Sequence, residues 1–593
     1  MSRRALPAMF FFILVLSACG TQQQQSPDPT GSGGGAASPS APEPGIGCEP
    51  VTTDEPTAGT GGTVRVGIGG SAGSLNPGLG ELSEDYELYE LVYDTPISIT
   101  PAGEYVPELA TEWSVADDDV TWSVTLRDDA SFHDGTPLTA EDVKFSLEMY
   151  RDNEFIYQSS YPDVFETITV EDPTHLTIVT SEPVGNFEYR LIFMYVLPKH
   201  IWENEDPTGY DNADMVGSGP FMLTEFVLGE SAELAAFDDY YQGRPVVDRV
   251  IFQTIENADA RVAALTSSTP EIDLLGEFQA TAIPTLQQTE NVQVCVTDIG
   301  AGGDLTDIIF NVVADENCPT DDPETTDVDE TGICTGHPAL KDVEVRRALA
   351  TATDKQELIT VATGGLATPG IGLVPVGLGE FYASELTDYA FDTDAAAEML
   401  ETAGYVDEDG DGIRECKADQ DCDDLTFRFN YPSDSDSSPR LAEVIAGQWE
   451  QVGVQLDIQG LEPDTLTSVC CPAFDFDVIL WGWGSDPDPQ FLLSILTCDE
   501  IPYGLSESGY CNPEYDDLFS QMAVETDPQA RIDLVHELQR IALEDVPYII
   551  PYYAASYVAW RTDTFTGWSF DDPSIGQTDP NVLRVLAPIE GSD

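Results

Sequence analysis

Lysine is almost missing from this chain: Lys144, Lys199, Lys341, Lys355 and Lys417 are all there is in 593 residues. Basic residues of both kinds number 23 against 108 acidic ones, a formal net charge of −85. A surface this anionic repels phosphate backbones, which excludes DNA and RNA as partners. It also repels itself, and salt relieves that, because the Debye length falls from about 10 Å at 0.1 M to about 3 Å at 1 M. The charge therefore reads as adaptation to a saline setting, not as a binding device. Histidine is as scarce: His133, His175, His200, His337 and His536 are scattered, without H-E-x-x-H or other ligand spacing. No two cysteines stand in C-x-x-C, so a zinc site fails on spacing. The G-x-x-x-x-G-K-[ST] loop of nucleotide hydrolysis is absent, and so is any internal repeat. Beyond the N-terminus, no stretch reaches the roughly eighteen apolar residues that mark a membrane-spanning helix.

What is present begins with an address. Arg3 and Arg4 precede an apolar run, Ala5 to Leu16, too short to span a bilayer and of the length of a signal-peptide core. It ends in Leu16-Ser17-Ala18-Cys19, which matches the bacterial lipobox and implies diacylglycerol attachment at Cys19. Residues 1–18 are thus expected to be a signal peptide, and residues 19–62, rich in Gln, Ser, Pro, Gly and Ala, a lipid-anchored flexible linker. The Arg pair leaves general secretion and twin-arginine export both open. Acyl chains on Cys19 would be the membrane attachment, on the extracytoplasmic face of the cell membrane. Without Cys19 there remain ten cysteines, an even number that favours disulfides in an exported chain. Cys318 with Cys334, Cys416 with Cys422, and Cys498 with Cys511 are plausible local pairs, while Cys48, Cys295, Cys470 and Cys471 are left unassigned.

With 41% hydrophobic residues the chain can bury large cores. Strand and helix patterns interleave from residue 63 on, an α/β pattern. Val64 to Ile68 reads as a strand, and Val120, Trp122, Val124 and Leu126 alternate with polar residues as a half-buried one. The turn His133-Asp134-Gly135 follows, then Thr139 with Asp142 in a capping-box arrangement opening a helix. Leu340 to Val361, Ala395 to Ala403, Leu441 to Val452 and Ala530 to Leu543 read as further helices, and Phe474 to Trp481 as a strand. Gly69-Gly70-Ser71-Ala72-Gly73 fits G-x-S-x-G, but Asn76-Pro77 breaks the helix a nucleophile elbow needs, so a plain turn is expected. Asp407, Asp409 and Asp411, alternating toward a glycine turn, offer oxygen ligands for a structural calcium ion, as in the first half of an EF-hand loop. Position twelve is Ala418, so Glu415 or Asp419 would have to substitute, and a solvated acidic turn is the competing reading.

Some of the wording is more specific than the physics. FHDGTPLTAEDVKFS, residues 132–146, closely resembles the signature of the bacterial extracellular solute-binding proteins of the peptide/nickel class, the capture subunits of ABC importers. Ser74-Leu75-Asn76-Pro77, Pro107 to Trp113, Gly217 to Phe221, Val345 to Leu349 with Asp354, Asn512 to Asp516, and Val546-Pro547 continue the resemblance in order, over about residues 63–590. It implies an α/β, two-lobed periplasmic-binding-protein-like fold (type II) with an extra domain on the N-terminal lobe. Lobe one would comprise 63–92, 210–305 and 545–590, the extra domain 93–209, and lobe two 306–544.

The segment Trp481 to Leu492 resembles the family's cleft element W-x-(A/G)-D-x-x-D-P-x-x-F-L, whose first Asp pairs with the α-ammonium of a bound peptide. Read forward from the tryptophans, Asp486 takes that place; read backward from Asp488-Pro489, Ser485 does. Trp481 and Trp483 would wall the pocket or serve as core at a strand end, and Asp488 would cap local backbone. The resemblance implies a monomer that captures peptides outside the cell and hands them to membrane ABC permease subunits. It implies no catalysis and no cofactor apart from the calcium candidate. A non-peptide solute, such as an oligosaccharide or metal chelate, is the rival within the class. A surface hydrolase using paired carboxylates is the rival outside it, although nothing singles out a pair.

Overall fold

The computed structural model describes residues 60–589, apart from 81, 101–103, 154, 156–157, 159–160, 277, 297–303, 319–333, 434, 436, 485, 503 and 569–579. The signal peptide, Cys19, Cys48, Ser485 and nearly all of the expected linker lie outside the described residues.

Two mixed sheets organise the chain. The seven-stranded one runs Val292–Val296, Tyr557–Arg561, Leu274–Leu275, Thr63–Ile68, Arg249–Thr254, Ser231–Ala236, Phe221–Val227. The six-stranded one runs Ala367–Pro369, Tyr548–Ala554, Leu305–Phe310, Val478–Trp483, Thr426–Pro432, Gln455–Leu461. Each centres a lobe, and the chain passes between them twice: after Val296, and through Ala555 and Ser556. Between Val92 and Phe221 it also builds a four-stranded sheet in the order Ala110–Val115, Thr121–Leu126, His175–Thr180, Phe165–Asp172, beside the helix Ala140–Asp152.

One boundary differs from the sequence expectation. Tyr548–Ala554 was assigned to lobe one, but it is an inner strand of the six-stranded sheet, buried from Tyr548 to Tyr553. A strand buried on both faces reads as a continuous apolar run and carries no mark of which sheet it joins. The chain re-enters the seven-stranded sheet only at Tyr557.

The long helix expected from Leu340 to Val361 is likewise three pieces, Pro338–Lys341, Val343–Thr351 and Lys355–Thr363. Asp342 and Asp354 interrupt it, because their carboxylates accept backbone N–H groups at the two new helix starts: Glu344 at 3.1 Å, and Gln356 and Glu357 at 3.0 and 3.2 Å. The other helices occur as Thr393–Ala403, stopped by Gly404 in the left-handed conformation, Ser438–Glu450 and Pro528–Asp545.

The Thr139 backbone N–H and hydroxyl both donate to Asp142 at 2.9 Å, so Asp performs the capping-box return usually made by Glu. His133 joins the inserted domain to lobe one: its Nδ1 accepts from the Gly217 N–H at 3.2 Å and its Nε2 lies 3.0 Å from the Gly219 carbonyl. Burial pushes this imidazole down to about 4, a neutral structural histidine. A Cβ on Gly217 would collide with the Val92 carbonyl, which is why glycine stands there. Gly69 to Gly73 is a turn; the Ser71 hydroxyl accepts from the Gly229 N–H at 3.0 Å, and the next helix starts only at Ser83.

The three local disulfides form as expected, Cys318–Cys334, Cys416–Cys422 and Cys498–Cys511. A fourth joins the neighbours Cys470 and Cys471, and Cys295 is disulfide-bonded as well.

Candidate functional site

The strand Val478–Trp483 is buried through Leu480, then half-exposed at Trp481, Gly482 and Trp483 as it reaches the edge of lobe two. The turn that follows carries Asp486 and Asp488 against the inserted domain. Asp486 is 1% exposed. The Tyr189 hydroxyl, from the short turn Tyr189–Leu191 of the inserted domain, donates to Asp486 Oδ2. Oδ1 of the same carboxyl has no hydrogen-bond partner. Burial pushes Asp486 up to about 7, the Tyr189 bond works against that, and the Asp488 charge adds to it. A buried carboxyl with one oxygen unsatisfied is costly when ionised, and either a retained proton or a cation offsets that cost.

Asp488, two residues on, is fully committed. Its oxygens take Arg531 Nη1 and Nη2 at 2.7 and 2.8 Å, and Oδ1 also takes the Gln490 backbone N–H at 2.9 Å. Both side chains of the ion pair are 4% exposed. Asn186 Nδ2 donates to Gln490 Oε1 at 3.0 Å and reaches Asp488 Oδ1 at 3.4 Å. Gly185 sits so close to lobe two that a Cβ would strike the Glu525 carbonyl. Residues 185–190 of the inserted domain and 486–490 of lobe two therefore form one packed junction. The Tyr105 hydroxyl belongs to the same cluster: burial raises it, and the charges of Asp488, Glu188 and Asp486 raise it further.

Of the two tryptophans, Trp483 donates from Nε1 to Glu507 Oε2 at 2.7 Å and meets Phe491 edge to face at 5.7 Å. Trp481 rests on the apolar core of lobe two with part of its surface open. Both pack on the core of lobe two at the strand end and keep part of their surface open.

The acidic turn stands apart from this junction. Asp407 accepts from the Gly410 and Gly412 N–H groups at 2.7 and 3.1 Å, and Glu415 from those of Glu408 and Asp409 at 2.7 and 3.2 Å. Oxygens of Asp407, Asp409 and Glu415 lie within 4.8 Å of one another. Asp411 is not in that group; its carboxylate accepts from the Ile413 N–H at 2.8 Å, and Glu415 takes the place expected of it. Asp407 and Asp409 are exposed and Glu415 is half-buried, and all three carboxylates already accept from backbone amides.

The description that matches the chain is that of bacterial extracellular solute-binding proteins, family 5 (middle), over residues 104–502. That is more than half of the chain. The chain belongs to this family. Its relatives include the oligopeptide-binding protein AppA of Bacillus subtilis, 26% identical over 463 residues, covering 76% of this chain and 78% of the relative. The solved structure of B. subtilis AppA in complex with a nonapeptide matches with a TM-score of 0.72 at 22% identity, covering 90% of this chain and 99% of that one. NikA from Brucella suis in complex with Fe(III)-EDTA matches with a TM-score of 0.74 at 20% identity, covering 89% and 100%. The fold is thus the two-lobed type II binding-protein fold.

For this family 5 chain the sequence pointed to Asp486, Trp481 and Trp483 but missed what surrounds them. Tyr189, Asn186 and Arg531 carry no local motif, and only packing brings them to the turn. Asp307 carries a signal, an acid inside the largely apolar strand Leu305–Phe310, whereas Glu507, between Ser506 and Ser508, carries none. Among the described residues, no helix is long and apolar enough to cross a membrane.

Proposed function

We propose that the protein captures peptides between its lobes, with Asp486 receiving the peptide α-ammonium, and delivers them to an ABC permease. The observation that carries this reading is the buried Asp486 carboxyl at the junction of the inserted domain and lobe two, one oxygen held by Tyr189 and the other unpartnered. An enclosed ammonium needs a carboxylate of this kind, and the charge-assisted bond it makes is among the stronger ones available. Trp481 and Trp483 supply apolar wall, and the extended ligand backbone bonds in strand fashion, a mode that reads main chain more than side chains. Closure of the lobes buries the ligand; no covalent step is involved. Acyl chains on Cys19 hold the monomeric protein at the outer membrane face, beside the permease. A structural calcium ion on Asp407, Asp409 and Glu415 is a separate proposal, checked by equilibrium dialysis at millimolar calcium.

A metal chelate is the second reading, favoured by the likeness to NikA from Brucella suis. A polycarboxylate chelate is anionic and calls for free basic side chains, whereas the basic groups at this junction are engaged, Arg531 on Asp488 and Arg190 on Asp163. Peptides suit the site better. Incubating the purified protein with a mixture of di- to pentapeptides, then identifying retained species by mass spectrometry, tests the proposal. Peptides retained by the wild type and lost in Asp486→Ala support it; peptides retained equally by both remove Asp486 as the anchor. Retention of no peptide removes the peptide reading, and cleaved peptides would revive the hydrolase.

A further inference from the structure

Asp307 is a second acid that the fold buries next to the tryptophans. It lies in Leu305–Phe310, opposite Trp481 in the antiparallel ladder, with Leu305 opposite Trp483 two residues away. Opposed residues of a ladder leave the sheet on the same face, so Asp307 shares the face of both indoles. It is 0% exposed, and neither carboxyl oxygen has a hydrogen-bond partner. The Trp481 backbone eases its charge without reaching hydrogen-bond geometry.

Glu507 faces it. Its Oε2 accepts from Trp483 Nε1 at 2.7 Å and from the Tyr548 hydroxyl at 3.1 Å. The adjoining Ser506 is 0% exposed, and its Oγ also has no partner. The Cys470–Cys471 disulfide backs this loop, its sulfurs 3.9 Å from the Glu507 and Ser506 carbonyls. Burial and the Glu507 charge push Asp307 well up, and burial pushes Glu507 up. Among the described residues no basic side chain pairs with either acid. Two adjoining buried carboxyls without a counter-charge stay neutral by keeping their protons, and a cation brought to them is what lets them ionise.

We propose that Asp307 and Glu507 form a second cation subsite of the cleft, taking the side-chain ammonium or guanidinium of a basic residue near the amino end of the bound peptide. This rests on the peptide reading above. Asp486 is three positions beyond Trp483, at most about 11 Å of chain. A ligand anchored at Asp486 covers that span within about its first three residues. The half-exposed indoles beside the pair add attraction for a cation over an aromatic face.

Calorimetric titration of the purified protein with Lys-Ala-Ala, Ala-Lys-Ala and Ala-Ala-Lys, each against its norleucine counterpart, tests this. At one position the lysine peptide binds at least tenfold tighter than the norleucine one, and Asp307→Asn with Glu507→Gln removes that difference. Glu507→Gln alone, which still offers an acceptor to Trp483 and Tyr548, reduces the difference and serves if the double variant does not fold. Equal binding of lysine and norleucine peptides at all three positions overturns the subsite and leaves the peptide reading standing. A preference that survives both variants overturns the assignment to these residues. Binding of no tripeptide at all overturns both proposals.

Discussion

Tyr189 and Asp486 stand 297 residues apart and meet through one hydrogen bond, the hydroxyl donating to Oδ2. That bond ties the inserted domain to lobe two at the carboxyl we assign to the ligand. The inserted domain is therefore bonded to lobe two as well as to lobe one. Tyr189→Phe removes the donor while keeping the ring that packs against Tyr161 and Phe193 at 5.6 Å. A hydrogen bond to a charged group contributes about 1.5–3 kcal/mol, so peptide affinity should fall by roughly tenfold or more. An unchanged dissociation constant by calorimetry would show that Tyr189 does not support the ligand-bound carboxylate.

The protonation of Asp486 gives a pH profile. Burial holds this group at about 7 in the unliganded fold, against an ordinary Asp of about 3.9. Its folded value is raised, so its contribution to stability is fully present below about pH 4 and is lost as pH rises through about 7. Asp304, pushed up to about 7 by burial, acts in the same direction. Binding runs the opposite way, because an ammonium needs the ionised carboxylate. Affinity should rise through about pH 7 and fall again once the peptide amine, with a pKa of about 7.7–8.0, loses its proton. Asp486→Asn should bind peptide weakly at every pH and lack the rising limb. A flat wild-type profile between pH 5.5 and 7.5 contradicts the assignment.

Legibility of the molecule from sequence followed the range of the interactions. Cys416 and Cys422, or Cys498 and Cys511, are close along the chain, and their pairing could be read from spacing alone. The capping box at Thr139 and Asp142, and the stop at Gly404, are equally local. Tyr548–Ala554 went to the wrong lobe because a fully buried strand looks the same in either sheet. From Leu340 to Val361 the apolar period runs on past Asp342 and Asp354 and masks the caps at which the helix breaks. In the site, Asp486 was visible through its neighbours Trp483 and Asp488-Pro489, whereas Tyr189 sits in an aromatic stretch where nothing marks one ring from another. Asp307 is legible as well, since a lone carboxylate in an apolar strand demands a partner.

The Asp488–Arg531 pair should behave as a buried ion pair does. Removing one partner leaves an uncompensated charge, at a cost of about 3–5 kcal/mol. Arg531→Met should therefore lower the urea midpoint strongly, all the more because the stranded Asp488 lies near the buried Asp486. Asp488→Leu combined with Arg531→Met should recover most of that loss, as apolar replacements of buried pairs commonly do. A double variant no more stable than Arg531→Met would mean that the Gln490 cap and the Asn186 contact at Asp488, not the ion pair, hold the turn.

Salt supplies the last test, and it concerns the whole surface. With 108 acidic against 23 basic residues, exposed carboxylates repel one another over distances that a dilute buffer leaves unscreened. Asp488 with Arg531 is too deeply buried for salt to weaken it much, so screening acts mainly on the repulsion. The melting temperature should therefore climb between 0.05 and 1 M NaCl, most steeply at the low end, where the Debye length shrinks from more than 10 Å toward about 3 Å. Ordinary salting-out would instead give a gain that grows steadily into the molar range. A melting temperature that does not move over this interval means the negative charge is no adaptation to salt.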